Sequence, residues 1–526
     1  MLNFGEKLGV SLSKTEWRWL GGLTLAALFL WLVGLGNAPL RDWDEGIYAG
    51  VAREMVRSQD WVHLTVFGQP FWAKPPFAIG FIAIGYQVLS GFGAAALQSP
   101  ALEFACRAPL AIITALGVPL LYLLGRELFS QERGAIAAAG VYLTLLPVVR
   151  HGRLAMLDGL INTFLILFLL CLLKSKQRPP LALGMGIALA AIALTKGVLV
   201  LALGAIALGY VLLQRQWQVL KNPYSWVGLV IGGAIVAAWY GAQWQTYGWE
   251  FMANHFGFHS FDRLSTTVEG NAGPIWYYLL ELLKYAWPWL IFLPTALAQA
   301  AQQWRRGGLL PLWGFGFFLT LVSVMGTKLP WYLFPIYPFL ALLIGGYGLT
   351  QISPQLRYFF GFLTLASLGG GAYLLWSDPQ LPLIGGAAIA CVTFALCTRA
   401  LSRPNRERNF LITLTIGLYL GLTSFFLSPA WVWEVNESFP VRAIGAMVRE
   451  NLPPNVPVYL DYPHSRPSLD FYGDRPFIPA DFATLQTQQQ NHFILINEPT
   501  REAWGESLKI LASADGYHLI APQIQP

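Results

Sequence analysis

The chain has 526 residues, 55% of them hydrophobic and 12% charged, with a mean hydropathy of +0.50. A soluble domain carries about 25% charged residues, so this composition excludes one and describes an integral membrane protein. The formal charge of +6 is too small at this length to serve a nucleic-acid partner and suits basic cytoplasmic loops instead.

Apolar segments fall near 17–37, 78–93, 104–125, 134–149, 156–173, 181–195, 197–213, 225–243, 286–301, 309–326, 330–350, 356–376, 381–398 and 409–428. A spanning helix needs about 20 apolar residues, so the first segment reads as an uncleaved anchor and the second as short. Basic clusters at Lys7/Lys14/Arg18, Arg126/Arg133, Lys174/Lys176/Arg178, Arg215/Lys221, Arg305/Arg306, Arg357 and Arg399/Arg403/Arg406/Arg408 go to the cytoplasm. With the N-terminus inside, alternation then makes 78–93 an interfacial or re-entrant helix and leaves about thirteen crossings. Loops near 38–103 and 244–285 face outward. So does the tail 429–526, where "NVPVYLDY" and "NHFILINE" read as strands and "FPVRAIGAMVRENL" and "TREAWGESLKILASADG" as helices. The expected architecture is mainly α and polytopic, a membrane domain over 1–428 with a small extracytoplasmic α/β domain behind it. The four cysteines lie in apolar runs and read as buried thiols.

The charges next to the bilayer concentrate in "RDWDEGIYAGVAREMVRSQDWVHLTVFGQPFWAKPP", Arg41 to Pro76. From Asp44 onward the segment reads as a surface helix, with Ile47, Val51 and Met55 on one face. Asp44 is then either an N-cap or a catalytic acid. Lys74, held extended before two prolines, suits an anionic group or simply snorkels. Asp158 in "RHGRLAMLDG" and Lys328 and Tyr332 in "GTKLPWYLFPIYP" sit at outer helix ends. The second loop adds His255, His259, Asp262 and Arg263. No metal-ligand set is complete. A divalent cation, Mg or Mn, remains an optional cofactor that would want Asp42 or Glu45 beside Asp44. Acids and bases gathered on one outer face suit a substrate whose phosphate is presented from the bilayer.

These stretches, with "ALTKG", "NHFGFHSFDRLS" and "KLPWYLFPIYPFLALL", resemble the glycosyltransferases of the aminoarabinose (lipid A) transferase and protein O-mannosyltransferase superfamily over roughly 38–350. The resemblance implies the GT-C fold. It also implies inverting transfer of a sugar from a polyprenyl phosphate to a lipid, glycan or protein acceptor, on the outer face of a bacterial inner membrane. It makes Asp44 the catalytic acidic residue and Asp158 the acidic residue of the second short outer loop. Lys74 and Tyr332 match positions that hold the donor phosphate, Tyr48 a pocket tyrosine, and Arg263 a phosphate-facing arginine. Glu45, Lys328 and His255 complete the candidate substrate-binding set. One departure stands out. The aminoarabinose enzymes read D-E-x-R-Y where this chain reads Asp44-Glu45-Gly46-Ile47-Tyr48, so an active-site arginine is missing at Ile47. Aminoarabinose specificity is therefore not carried over. The alternative classes are a lipid-linked sugar flippase and a non-enzymatic envelope assembly protein. The first would place ionisable groups mid-membrane, often in inverted repeats, and no repeat is seen.

Overall fold

The structure is a computed structural model that describes residues 13–93, 97–267, 270–403, 406–432, 439–504 and 508–523. The chain divides into two compact units. The first comprises Met1–Gly34, Trp72–Ala78 and Leu110–Ser428; the second comprises Leu35–Phe71, Ile79–Pro109 and Pro429–Pro526.

Each apolar segment read from the sequence is helical. Seven helices among the described residues are long and apolar enough to cross a membrane, and eight if a bent pair counts as one span. That pair is Glu132–Thr144 and Leu146–Arg153, bent by 59°. Its second half begins Leu146-Pro147, and proline lacks the N–H that would continue the ladder. Pro76–Ser90, Leu199–Leu213 and Leu309–Val324 are apolar but shorter. The count by length therefore falls below the expected thirteen, because several expected spans are short or broken.

The N-terminal helix Lys14–Leu32 opens with a capping box, in which the Ser13 and Glu16 side chains each accept from the other's backbone N–H. Its far end is closed by the buried Arg153, which donates to the carbonyls of Leu30 and Val33 at 2.5 and 2.6 Å. Helices Leu183–Lys196 and Pro223–Met252 touch backbone to backbone. A Cβ on Gly186 would fall 1.8 Å from the Gly228 carbonyl oxygen, so only glycine permits this approach.

The second unit holds helix Asp44–Ser58, the short antiparallel pair β1 (Thr65–Val66) and β2 (Gln69–Pro70), and a five-stranded sheet. The sheet comprises β3 (Val458–Asp461), β4 (Phe477–Ala480), β5 (Phe493–Asn497), β6 (Ile510–Ala514) and β7 (Tyr517–Ile520), in the order β4-β3-β5-β7-β6. β3 pairs in parallel with β4 and β5, while β7 runs antiparallel to β5 and β6. Leu485, Ile494, Ile496, Trp504 and Ile520 form its core.

Two expectations change here. The stretch from Thr500 is not one helix stopped at Gly516. Helix Glu498–Trp504 is followed by the β6–β7 hairpin. Asp515 and Gly516 supply the two positive φ angles, 47° and 77°, that a tight hairpin turn requires. Nor does helix Asp44–Ser58 keep its charges on an open face, since Glu45 and Arg53 are buried along with Val51 and Met55. Arg107 pairs with Glu45 and Arg53 with Asp474, at 2.7 and 3.0 Å.

Asp470 is a strongly perturbed carboxyl of this interior. Burial raises its pKa to about 7; the Asp42 carboxylate adds to the rise, while Arg53 and the Phe477 N–H, donating at 2.8 Å, oppose it. The unfolded carboxyl titrates near pH 4, so the folded chain binds this proton more tightly. The stabilisation from that proton is complete below about pH 4 and is lost as pH rises through about 7. Asp470→Asn keeps the acceptor for Phe477 and is expected to flatten the fall in Tm between these values. A slope equal to that of the wild type would contradict the assignment.

Candidate functional site

A cavity of about 330 Å³ opens in the first unit. Lys74, Asp158, Lys196, His255, Arg263 and Tyr332 all line it. Lys74, Asp158 and Lys196 are delivered by the ends of helices. Lys74 precedes helix Pro76–Ser90, whose first residue is a proline with its φ already suited to the first turn. The backbone two residues earlier is fixed by His255, whose Nδ1 is 2.7 Å from the Trp72 carbonyl oxygen. A carbonyl only accepts, so His255 carries its proton on Nδ1, and Nε2 accepts from the Tyr240 hydroxyl at 3.0 Å. The ring therefore acts as a neutral strut.

Asp158 is the first residue of helix Asp158–Lys174, and Lys196 the last of helix Leu183–Lys196. Each charge thus sits at the helix end whose dipole favours it. They meet with Lys196 Nζ 2.6 Å from Asp158 Oδ1. Lys196 also lies 5.3 Å from the ring centroid of Tyr332, and Arg263 Nη1 donates to the Tyr332 hydroxyl at 3.2 Å. Three cations and a phenol thus face one carboxylate. The remaining wall is apolar, with Leu199, Leu201 and Ala202 on one helix and Phe317, Phe318 and Leu321 on another. A cationic end joined to an apolar wall fits an amphiphile with a phosphate head.

Lys196 was absent from the sequence-based set. Its one signal is the lysine of "ALTKG", directly after an apolar run and before Gly197, whose φ is 51°. Lys196→Met removes the cation beside a buried carboxylate, a change that commonly costs about 3–5 kcal/mol. A clear drop in the melting temperature of the detergent-solubilised protein is expected, with much of it regained in Lys196→Met/Asp158→Asn. A double variant no more stable than the single one would refute the pairing.

Lys328 is not part of this lining. Its ammonium donates to the carbonyls of Val322, Ser323 and Met325 at 3.1, 2.7 and 2.5 Å, closing the end of helix Leu309–Val324. Burial lowers its pKa. Its ammonium caps that helix end. The side chain of His259 lies outside the described residues.

Asp44, Glu45 and Tyr48 belong to the second unit. Asp44 is the first residue of its helix; the N-cap is Trp43, and no side chain caps it. The expectation that Asp44 serves as a cap is therefore set aside. Its Oδ1 accepts from the Tyr48 hydroxyl at 3.2 Å, and the Tyr48 ring packs edge-on against Phe71. Glu45 is fully buried. Its two oxygens accept from Arg107 Nε and Nη2 at 2.9 and 2.7 Å, and Oε2 also from the Arg41 N–H at 2.8 Å. Glu45 anchors the loop. Asp42 is bound in the same way by Arg466 and Ser468. Asp42 and Glu45, the oxygen donors expected to join Asp44 around a divalent cation, are thus committed to arginines.

Comparison with known proteins places these features. Residues 74–240 match the family model described as dolichyl-phosphate-mannose-protein mannosyltransferase. The chain is 31% identical over 404 residues to the undecaprenyl phosphate-alpha-4-amino-4-deoxy-L-arabinose arabinosyl transferase of Edwardsiella ictaluri, covering 71% of this chain and 69% of that protein. It is 30% identical over 471 residues to the second such transferase of Pseudomonas fluorescens Pf-5, covering 85% and 76%. Its fold is similar to the crystal structure of ArnT from Cupriavidus metallidurans bound to undecaprenyl phosphate, with a TM-score of 0.76, 21% identity and coverage of 97% and 98%.

Proposed function

The chain belongs to the undecaprenyl phosphate-alpha-4-amino-4-deoxy-L-arabinose arabinosyl transferase family, and on that premise we propose that it moves a sugar from undecaprenyl phosphate to an envelope acceptor such as lipid A. It is a membrane glycosyltransferase of the GT-C fold. The observation that carries the donor class is the convergence of Lys74, Lys196, Arg263 and Tyr332 at the end of an apolar-walled cavity. The prenyl chain lies along that wall and the phosphate meets the cations.

The acceptor oxygen attacks the anomeric carbon as the bond from that carbon to the phosphate oxygen breaks. Undecaprenyl phosphate leaves with the electron pair, and the configuration inverts. Positive charge gathers on the sugar ring and negative charge on the departing oxygens. Lys74, Arg263 and Tyr332 stabilise the leaving phosphate, and Lys196 reinforces them while balanced by Asp158. The family resemblance makes Asp44 the base for the acceptor hydroxyl, with Tyr48 orienting its carboxylate. The basic loops put the N-terminus in the cytoplasm of a bacterial cell, and transfer occurs on the outer face of its inner membrane.

Ile47 stands where the resemblance expects an arginine, so the sugar is left to experiment. Purified protein is given undecaprenyl phosphates bearing aminoarabinose, mannose, glucose or galactose, with lipid A and total envelope extract as acceptors, and products are read by mass spectrometry. Release of undecaprenyl phosphate with a glycosylated product from one donor is the expected result. Turnover of none, while nucleotide sugars react, would overturn the donor class.

A further inference from the structure

The residue before Asp44 has an unusual backbone. Trp43 has φ 65° and ψ −107°, on the side of the map that bulky L-residues avoid. Such a conformation costs on the order of 1–3 kcal/mol and persists only where its surroundings over-determine it. The surroundings here are the carboxy-terminal part of the same unit. Asp42 Oδ1 accepts from the Ser468 N–H and hydroxyl at 3.1 and 2.6 Å, and Arg466 Nη2 lies 2.8 Å from Oδ2. Arg466 is itself buried and packs over the rings of Phe439 and Tyr462, 4.0 and 4.6 Å from their centroids. On the other side of Trp43, Gly46 presses directly on the same segment. A Cβ there would fall 2.4 Å from the Ser468 nitrogen and 2.6 Å from the Pro467 carbonyl carbon.

We propose that Ser468 and Arg466 are positioning residues for the transfer reaction. They grip Asp42 and Gly46, hold Trp43 in its strained turn, and thereby fix the direction of the Asp44 carboxylate. The carboxy-terminal domain is then part of the catalytic apparatus without touching substrate. This inference rests on the reading of Asp44 as the base. Without the grip, Trp43 relaxes to negative φ, and the first turn of helix Asp44–Ser58 turns Asp44 away. A misplacement of about 1 Å at a reacting group can cost about 10²-fold in rate.

The test uses full-length protein and the donor–acceptor pair with the highest turnover in the panel above. Ser468→Ala and Asp42→Asn are expected to lower kcat about 10- to 100-fold while the donor KM stays near wild type. The discriminating variant is Trp43→Gly, because glycine adopts positive φ without strain. Added to Ser468→Ala, it is expected to restore much of the lost kcat, which a merely destabilised fold would not show. Near-normal kcat in both single variants, or a loss that Trp43→Gly leaves untouched, overturns the proposal. Asp44→Asn separates the two levels. If it turns over normally, the base assignment falls. If it is inactive while Ser468→Ala is normal, only the grip falls.

Discussion

Asp44→Asn is expected to lower transfer by about 10²–10⁴-fold, the usual worth of a positioned general base. The substitution keeps the size of the side chain and an oxygen for the Tyr48 hydroxyl, which donates to Oδ1 at 3.2 Å. It removes the negative charge and the capacity to take a proton. The lipid-phosphate cavity of the first unit is lined by other residues, so binding of undecaprenyl phosphate is expected to remain near wild type. Equilibrium binding and single-turnover transfer, measured on the same preparation, separate the two quantities. A variant that transfers sugar at near the normal rate would remove Asp44 from the chemistry.

Lys74→Ala is expected to affect both quantities. Removing one donor from a leaving phosphate costs about 10²–10³ in rate, or roughly 3–4 kcal/mol. A lysine also contributes to ground-state affinity for a phosphate as a point charge. Undecaprenyl phosphate should therefore bind more weakly, and this loss should shrink at high salt if the contact is partly hydrated. Lys74→Arg keeps the charge and should recover binding better than rate, because a planar fork does not occupy the place of a compact ammonium. Unchanged affinity in Lys74→Ala would reduce this lysine to an interfacial anchor. Lys328→Ala is a useful contrast. Its ammonium is occupied by three carbonyls, so its loss should lower thermal stability and leave donor affinity intact.

Membrane character and the helical segments were legible because apolar runs of that length have few other folds open to them. The strands β3 and β5 were legible for a similar reason, as short apolar runs bounded by polar turns. The β6–β7 hairpin was not. "KILASADG" carries alanines that suit a helix, and only the Asp515-Gly516 turn discloses the reversal. Within the site, sequence pointed to Lys74, Asp158, His255, Arg263 and Tyr332, which one cavity gathers. It also placed Lys328 in the candidate substrate-binding set beside Lys74. The difference is local geometry, since one ammonium folds back onto its own helix end and the other lines the cavity. Glu45 shows the same limit, because its partner Arg107 lies 62 residues away and no periodicity connects them. Lys196 was passed over because a cation after an apolar run ordinarily marks a membrane boundary. Its pairing with Asp158, 38 residues earlier, exists only once two helix ends meet.

That pairing bears on how the carrier lipid departs. A phosphate pocket whose cations had no internal counter-charge would hold its spent product, since a lipid phosphate released into the bilayer would leave unbalanced charge behind. On the proposed reading, the Lys196–Asp158 pair, 2.6 Å apart, supplies that counter-charge from within the protein, so departure of the phosphate leaves one cation already balanced. Asp158→Asn should accordingly lengthen the residence time of undecaprenyl phosphate, and a faster off-rate in that variant would contradict this account.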